Sequence, residues 1–183
     1  TLVELILNEH KEKNISLLDV CTGSGCIAVS LAKLGGYADV TALDLSEEAL
    51  KVAKSNGEKL LDHPVKFIKS DMFSALDPEK QYDVIVSNPP YIPSQVIEGL
   101  EPEVKDHEPR MALDGEPDGL KFYRILAEEG KKYLKNGGSI YMEIGWDQAK
   151  DVTEIFEAMG FSGLRTVRDM AGNDRVVCAR KEK

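Results

Sequence analysis

Five short apolar runs, each ending in a polar or acidic residue and most parted from the next by a helical stretch, constrain this chain more than anything else in it. They are ISLLDV (15–20), DVTALDL (39–45), VKFIKS (65–70), YDVIVS (82–87) and SIYMEIG (139–145). Runs of this length read as buried strands. Strands that alternate with helices predict a parallel sheet covered on both faces. Helical spacing is expected over 2–12, 26–35, from Ser46 to about Leu61, 120–135 and 147–159. Ser46 is the expected N-cap of the third helix, with Glu47 and Glu48 in its first turn. Two last runs, near 162–168 and 174–180, are joined by a polar turn containing Gly172-Asn173-Asp174 and read as an antiparallel hairpin. The segment 92–119, rich in Pro, Glu and Gly, is the one long candidate for a functional loop.

Composition narrows the function. The 183 residues carry a formal net charge of -9, which argues against a domain that grips nucleic acid by its backbone. Cys21, Cys26 and Cys178 show no paired spacing. They read as small buried side chains in a reducing cytoplasm, and no Cys or His pair completes a zinc site, so no metal is expected. No apolar run is long enough to span a bilayer. His10, His63 and His107 read as surface residues, Lys131 and Lys132 as complements to a helix dipole, and Trp146 as core.

Two motifs carry chemistry. Asp19-Val20-Cys21-Thr22-Gly23-Ser24-Gly25 lies between the first strand and its helix, where open α/β sheets bind ligands. Glycines there let backbone approach a ligand closely. Gly23-x-Gly25-x-x-Ala28, with Asp44 further on, also fits a dinucleotide fingerprint, so the loop specifies a ribose-bearing ligand without saying which. Asp19, Asp44 and Asp71 close three successive strands. That row suits an ammonium group, a ribose and an adenine in turn, the three parts of S-adenosylmethionine, which has no pyrophosphate.

The second motif, Asn88-Pro89-Pro90-Tyr91, follows the fourth strand directly. Its prolines fix two φ angles and remove two backbone donors, leaving carbonyls free to accept. With the Asn88 side-chain oxygen they can hold an –NH2 group, and Tyr91 offers a face to a planar substrate. An amide or aromatic amine is a poor nucleophile, so hydrogen-bond acceptors that aim it at an electrophilic methyl do useful work. On these residues alone the acceptor stays open between an amide and an exocyclic base amine. A nicotinamide-dependent oxidoreductase and a non-catalytic binding module remain rivals with no use for the tetrapeptide.

LLDVCTGSGCIAVSLA, ALDLSEEAL, SDMFSAL and VIVSNPPYIP resemble class I methyltransferases. HEPRMALDGEPDGLKFYRIL (107–126), YMEIGWDQ (141–148) and RDMAGNDRVV (168–177) resemble more narrowly the release-factor glutamine methyltransferases, the PrmC/HemK family. The resemblance implies an α/β, Rossmann-like class I methyltransferase fold over residues 1–183, with a seven-stranded mostly parallel sheet, an antiparallel last strand and helices on both faces. It implies methyl transfer from S-adenosylmethionine, leaving S-adenosylhomocysteine, to the glutamine N5 in the Gly-Gly-Gln loop of bacterial peptide-chain release factors. Carried over, Cys21, Thr22, Gly23, Ser24 and Gly25 line the methionine part of the cofactor, beside the Asp19 already read as a grip for its ammonium group, Asp44 binds the ribose, and Asp71 and Met72 flank the adenine. Asn88 touches cofactor and substrate, and Pro89, Pro90 and Tyr91 hold the glutamine amide. Glu143 is left between a site role and a surface role. Cys21 stands where family members often have glycine. The family's N-terminal helical domain, and the arginine-proline-acid segment before the first helix, are not in these residues, so the chain is expected to be the catalytic domain. It is expected to act as a cytoplasmic monomer, off the membrane and without direct nucleic-acid contact.

Overall fold

The computed structural model describes residues 1–99 and 109–182. Residues 100–108 of the expected loop 92–119 lie outside them, and with these His107 and Glu108, the first two residues of the 107–126 segment. The strands are β1 (Ser16–Val20), β2 (Asp39–Asp44), β3 (Lys66–Lys69), β4 (Tyr82–Ser87), β5 (Leu134–Glu143), β6 (Phe161–Arg168) and β7 (Asp174–Lys181). They form one seven-stranded sheet in the order β3-β2-β1-β4-β5-β7-β6. All neighbours from β3 to β5 are parallel, and β7 runs antiparallel to both β5 and β6. The longer helices are α1 (Leu2–Glu9), α2 (Cys26–Gly35), α3 (Glu47–Leu60), α4 (Lys121–Glu128) and α5 (Ala149–Ala158). This is the architecture that the alternation of runs predicts.

Period-two alternation sends each strand's side chains to opposite faces. Leu18, Val20, Ile85, Ile140, Met142, Val177 and Ala179 join one core cluster, with Tyr123, Leu126 and Phe156 from the covering helices. Leu17, Val84, Val86, Tyr141, Val176 and Cys178 join the other, with Ile6, Ala28 and Leu31. Both faces of β1 are therefore buried, which is why its sequence is apolar without a break.

Several boundaries differ from the expected ones, each for a tertiary reason. The helix expected over 120–135 ends at Glu128, and a separate turn of helix, Gly130–Tyr133, leads straight into β5 at Leu134. Leu134 is fully buried and pairs with Tyr82, and the register then shifts before Ser139 pairs with Val84. The Asn136-Gly137-Gly138 punctuation is thus a bulge inside the strand, with Gly137 at φ +79. Lys131 donates to the Met159 and Gly160 carbonyls, so it caps the end of α5 and not its own helix. Trp146 is 69% exposed and is not core. Cys26 is exposed, while Cys178 is buried. His10 is half-buried, its ring within 2.9 Å of the Tyr141 hydroxyl, and His63 lies 3.1 Å from the Tyr37 carbonyl.

The seat of α2 on α3 depends on one glycine. Gly25, the N-cap of α2, has φ +78, and a Cβ there would lie 2.9 Å from Ala53 Cβ. Gly23 has φ +55 with open space beside it. Gly25→Ala meets strain and a clash together, and is expected to lower unfolding free energy by roughly 2–4 kcal/mol. Gly23→Ala meets only the backbone strain, about 1 kcal/mol. Chemical denaturation of the two variants checks the difference, and equal losses would contradict it.

Candidate active site

Sheet register assembles the site. Val20 of β1 pairs with Leu43 of β2 and Ser87 of β4, and Ser87 pairs with Met142 of β5. The next residues, Asp44, Cys21, Asn88 and Glu143, therefore stand side by side at the carboxyl edge. Chain order reverses between β1 and β4, so the row spans the switch point where such sheets bind ligands. The Ser87 hydroxyl, fully buried, donates to the Val20 carbonyl at 2.7 Å and pins the two central tips together.

A cleft of about 490 Å³ opens over this row, a size suited to a ligand larger than a single ring system. Cys21, Thr22, Gly23, Ser24, Asp44, Asp71, Met72, Asn88 and Pro90 all line it. Four further sequence-predicted residues are not among its walls. Gly25 packs against Ala53, Pro89 is buried, Tyr91 is half-buried behind the cleft, and Asp19 lies beneath the glycine loop.

The Asp44 carboxylate joins two strand tips. Its Oδ2 accepts from the Gly23 N–H at 2.7 Å and its Oδ1 from the Ser46 N–H at 2.8 Å. Ser46 in turn caps α3, accepting from the Ala49 N–H. Cys21 and Met72 line the cleft in left-handed backbone, at φ 61 and 47, and their sulfurs lie 3.8 Å apart. Only glycine enters that region without strain, so both side chains are held there by their surroundings. Burial pushes the Cys21 thiol up to about 12, so it is a neutral wall of the cleft and no nucleophile.

Asp19 is wholly buried on the face toward α2. Its Oδ2 accepts from the Thr22 hydroxyl at 2.6 Å and the Ala28 N–H at 3.1 Å, while Oδ1 has no partner among the described residues. Burial pushes its carboxyl up to about 7, with Asp44 adding to the rise and the two donors opposing it.

The tetrapeptide is braced from behind. Ile92 and Asp114 form a parallel bridge, and Gly115 and Gly119 lie so close to the Tyr91 backbone that a Cβ on Gly119 would sit 2.4 Å from the Tyr91 carbonyl oxygen. Gln148, 7% exposed, donates to that carbonyl at 3.0 Å and accepts from the Gly145 N–H at 3.0 Å. Sequence reasoning gave these three residues no role. Glycine spacing in DGEPDG was the available signal, but its target was not readable. Met111, Ala112 and Phe122 also line the cleft and were not foreseen. Glu143, left open by the sequence, lines it beside Asn88.

A seven-stranded sheet of this order, with a nucleoside-sized cleft at its switch point, defines the class I methyltransferase architecture. The chain belongs to the methyltransferase small domain family, whose model matches residues 2–99. It is 43% identical over 178 residues to a release factor glutamine methyltransferase of Fusobacterium nucleatum, covering 96% of this chain and 49% of that protein. It is 42% identical over 185 residues to one of Thermodesulfovibrio yellowstonii, covering 100% and 66%. The chain thus spans about half to two thirds of the length of these relatives. Among solved structures, the protein-(glutamine-N5) methyltransferase (release factor-specific) of Alicyclobacillus acidocaldarius is 29% identical with a TM-score of 0.59, covering 100% of this chain and 90% of that one. A methyltransferase of Pyrococcus furiosus, 21% identical, shares the fold with a TM-score of 0.72, covering 98% and 81%.

The state of Asp19 has a measurable consequence. Between the ordinary carboxylate range and about pH 7, an unfolded chain ionises Asp19 while the folded chain keeps its proton. Folding stability attributable to this group therefore falls as pH rises through that window, and levels off above it. Asp19→Asn removes the titration, so the variant should gain stability relative to wild type between pH 5 and pH 8 in thermal unfolding. A constant difference across that range would contradict the buried, protonated carboxyl.

Proposed function

We propose that residues 1–183 act as one catalytic domain that transfers the methyl group of S-adenosylmethionine to the N5 amide nitrogen of the glutamine in the Gly-Gly-Gln loop of peptide-chain release factors. The observation that carries this reading is the row of strand tips that sets Asn88 next to the nucleoside-sized cleft. Similarity over almost the whole chain to proteins named for that activity supports the choice of acceptor.

The residues present suit the donor. Asp44 keeps lone pairs for a ribose diol, because each carboxylate oxygen is engaged by a single backbone N–H. Asp71 and Met72 stand further along the cleft, where an adenine would lie. Cys21 to Ser24 give the methionine end a wall with open space at Gly23. When bound, the sulfonium supplies an electrophilic methyl.

Everything else is positioning. The Asn88 side-chain oxygen and a backbone carbonyl of the tetrapeptide accept the two amide N–H groups, which concentrates electron density on a nitrogen that resonance otherwise depletes. Fixing the amide in line with the methyl supplies most of the rate gain, because a misplacement of about 1 Å costs roughly 100-fold. The same acceptors stabilise positive charge as it develops on nitrogen. Cys21 serves no covalent step, its thiol being held neutral.

The net charge of -9 favours a protein acceptor over nucleic acid. Among the described residues no helix is long and apolar enough to cross a membrane. On this reading the domain works as a monomer in the cytoplasm.

Incubation with labelled cofactor and a release factor tests the acceptor. Label should enter the wild-type factor and not a Gln→Ala factor, and label on the latter would overturn the assignment. Asn88→Ala should lower turnover by roughly 100-fold or more, with S-adenosylhomocysteine binding by calorimetry reduced far less. Near-normal turnover would contradict the role of Asn88.

A further inference from the structure

The reading above leaves one proton unassigned. A primary amide nitrogen that gains a methyl group must shed an N–H proton to end as a neutral N-methyl amide. The Asn88 side-chain oxygen and the backbone carbonyls of the tetrapeptide accept hydrogen bonds, but an amide oxygen is too weak a base to keep that proton at neutral pH. Among the described residues the titratable walls of the cleft are Cys21, Cys26, Asp44, Asp71 and Glu143. Asp71 follows the edge strand β3, and Asp44 ends β2 with its two oxygens on the Gly23 and Ser46 N–H groups. Cys26 opens α2, past the glycine loop. The Cys21 thiol, pushed up to about 12 by burial, already carries its proton. Glu143 remains, and it ends the strand beside Asn88: Ser87 pairs with Met142, and the two residues follow that pair directly. The tip that carries Glu143 is fixed on both sides. Its backbone carbonyl accepts from the buried Tyr123 hydroxyl at 2.9 Å, and it pairs with Val176 of β7. Among the described residues no hydrogen bond or ion pair engages its carboxylate, which shares the cleft wall with Asn88, Pro90, Met111 and Phe122. Burial raises the proton affinity of this half-buried carboxyl above its ordinary value, and the charge of Arg175 opposes the rise.

We propose that Glu143 is a catalytic residue whose carboxylate, on the cleft wall beside Asn88, takes the proton that the acceptor nitrogen loses on methylation. This rests on the acceptor reading above. The nitrogen lone pair becomes the new N–C bond, and the C–S bond breaks with its electron pair left on sulfur. An N–H proton passes to a Glu143 oxygen. The products are a neutral N-methyl amide, S-adenosylhomocysteine and a protonated Glu143, which returns its proton to water. A strong base is not required, because an amide protonated on nitrogen is far more acidic than a carboxylic acid. Before the proton moves, the carboxylate also favours the positive charge building on nitrogen.

Kinetics and binding on Glu143→Gln test the proposal, since the change keeps the side chain's size and removes the base. Its kcat on a release factor should fall roughly 100-fold or more, with KM for the factor and S-adenosylhomocysteine affinity each held within about threefold. Near-normal kcat would overturn the proposal. The binding measurement needs no methyl transfer. A release factor with its target Gln→Lys brings a cation close to where the nitrogen becomes positive, and one with Gln→Met fills the same space without charge. With S-adenosylhomocysteine bound, wild type should hold the lysine factor at least about tenfold more tightly than the methionine factor, and Glu143→Gln should lose most of that preference. A preference unchanged in Glu143→Gln would equally overturn the proposal. Should that variant not fold, Glu143→Asp decides, because it keeps the charge one methylene short. It should retain the lysine preference and lose at least about tenfold in kcat, and near-normal kcat would count against the proposal. Wild-type protein inert toward a release factor rejects the acceptor reading, while active wild type with an unaltered Glu143→Gln rejects only the role of Glu143.

Discussion

Parallel hydrogen bonding sets Leu43, Val20, Ser87 and Met142 in one row across four strands, and the chemistry of the cleft follows from that row. Each of these strands ends within a residue of its neighbours, so Asp44, Cys21, Asn88 and Glu143 become lateral neighbours although they are spread over more than a hundred positions in sequence. A slip of one residue in any pair would turn a tip's side chains to the wrong face. Two bonds guard against it: the Ser87 hydroxyl on the Val20 carbonyl, and the Asp44 carboxylate on the Gly23 N–H. Both come from residues that a purely apolar strand would lack.

Stability is given up around the cleft in return for this arrangement. Cys21 and Met72 occupy left-handed backbone that disfavours them, and Asp19 is buried with one oxygen unpartnered among the described residues. Strained residues of this kind persist where the surroundings over-determine them, and here the surroundings are two packed core clusters on either side of the sheet. The two glycines of the loop divide the remaining work. Gly25 allows close contact between helices, and Gly23 leaves open space where a ligand can approach.

Much of this was legible in the sequence because the relevant signals are local. Strand-ending acids, the glycine loop and Asn-Pro-Pro-Tyr each lie within a few residues, and alternation of strand and helix then dictates that they share one edge of a sheet. What escaped depends on contacts between distant residues. Gly119 and Gln148 meet at Tyr91, 28 and 57 positions away, and nothing near either residue in sequence says so. Trp146 follows a buried strand and looks like core, but the chain turns outward after Gly145. Asn136-Gly137-Gly138 looks like a turn, because a bulge uses the same residues. Asp19 looks like a cleft residue by its place at a strand end, yet its alternation along β1 sends it toward α2.

One measurement bears on the whole account: a crystal structure of this chain with S-adenosylhomocysteine. The account predicts the ribose hydroxyls on Asp44, the base beside Asp71 and Met72, and the sulfur facing Asn88. A nucleoside seated elsewhere, or a sulfur directed away from residues 88–91, would contradict it.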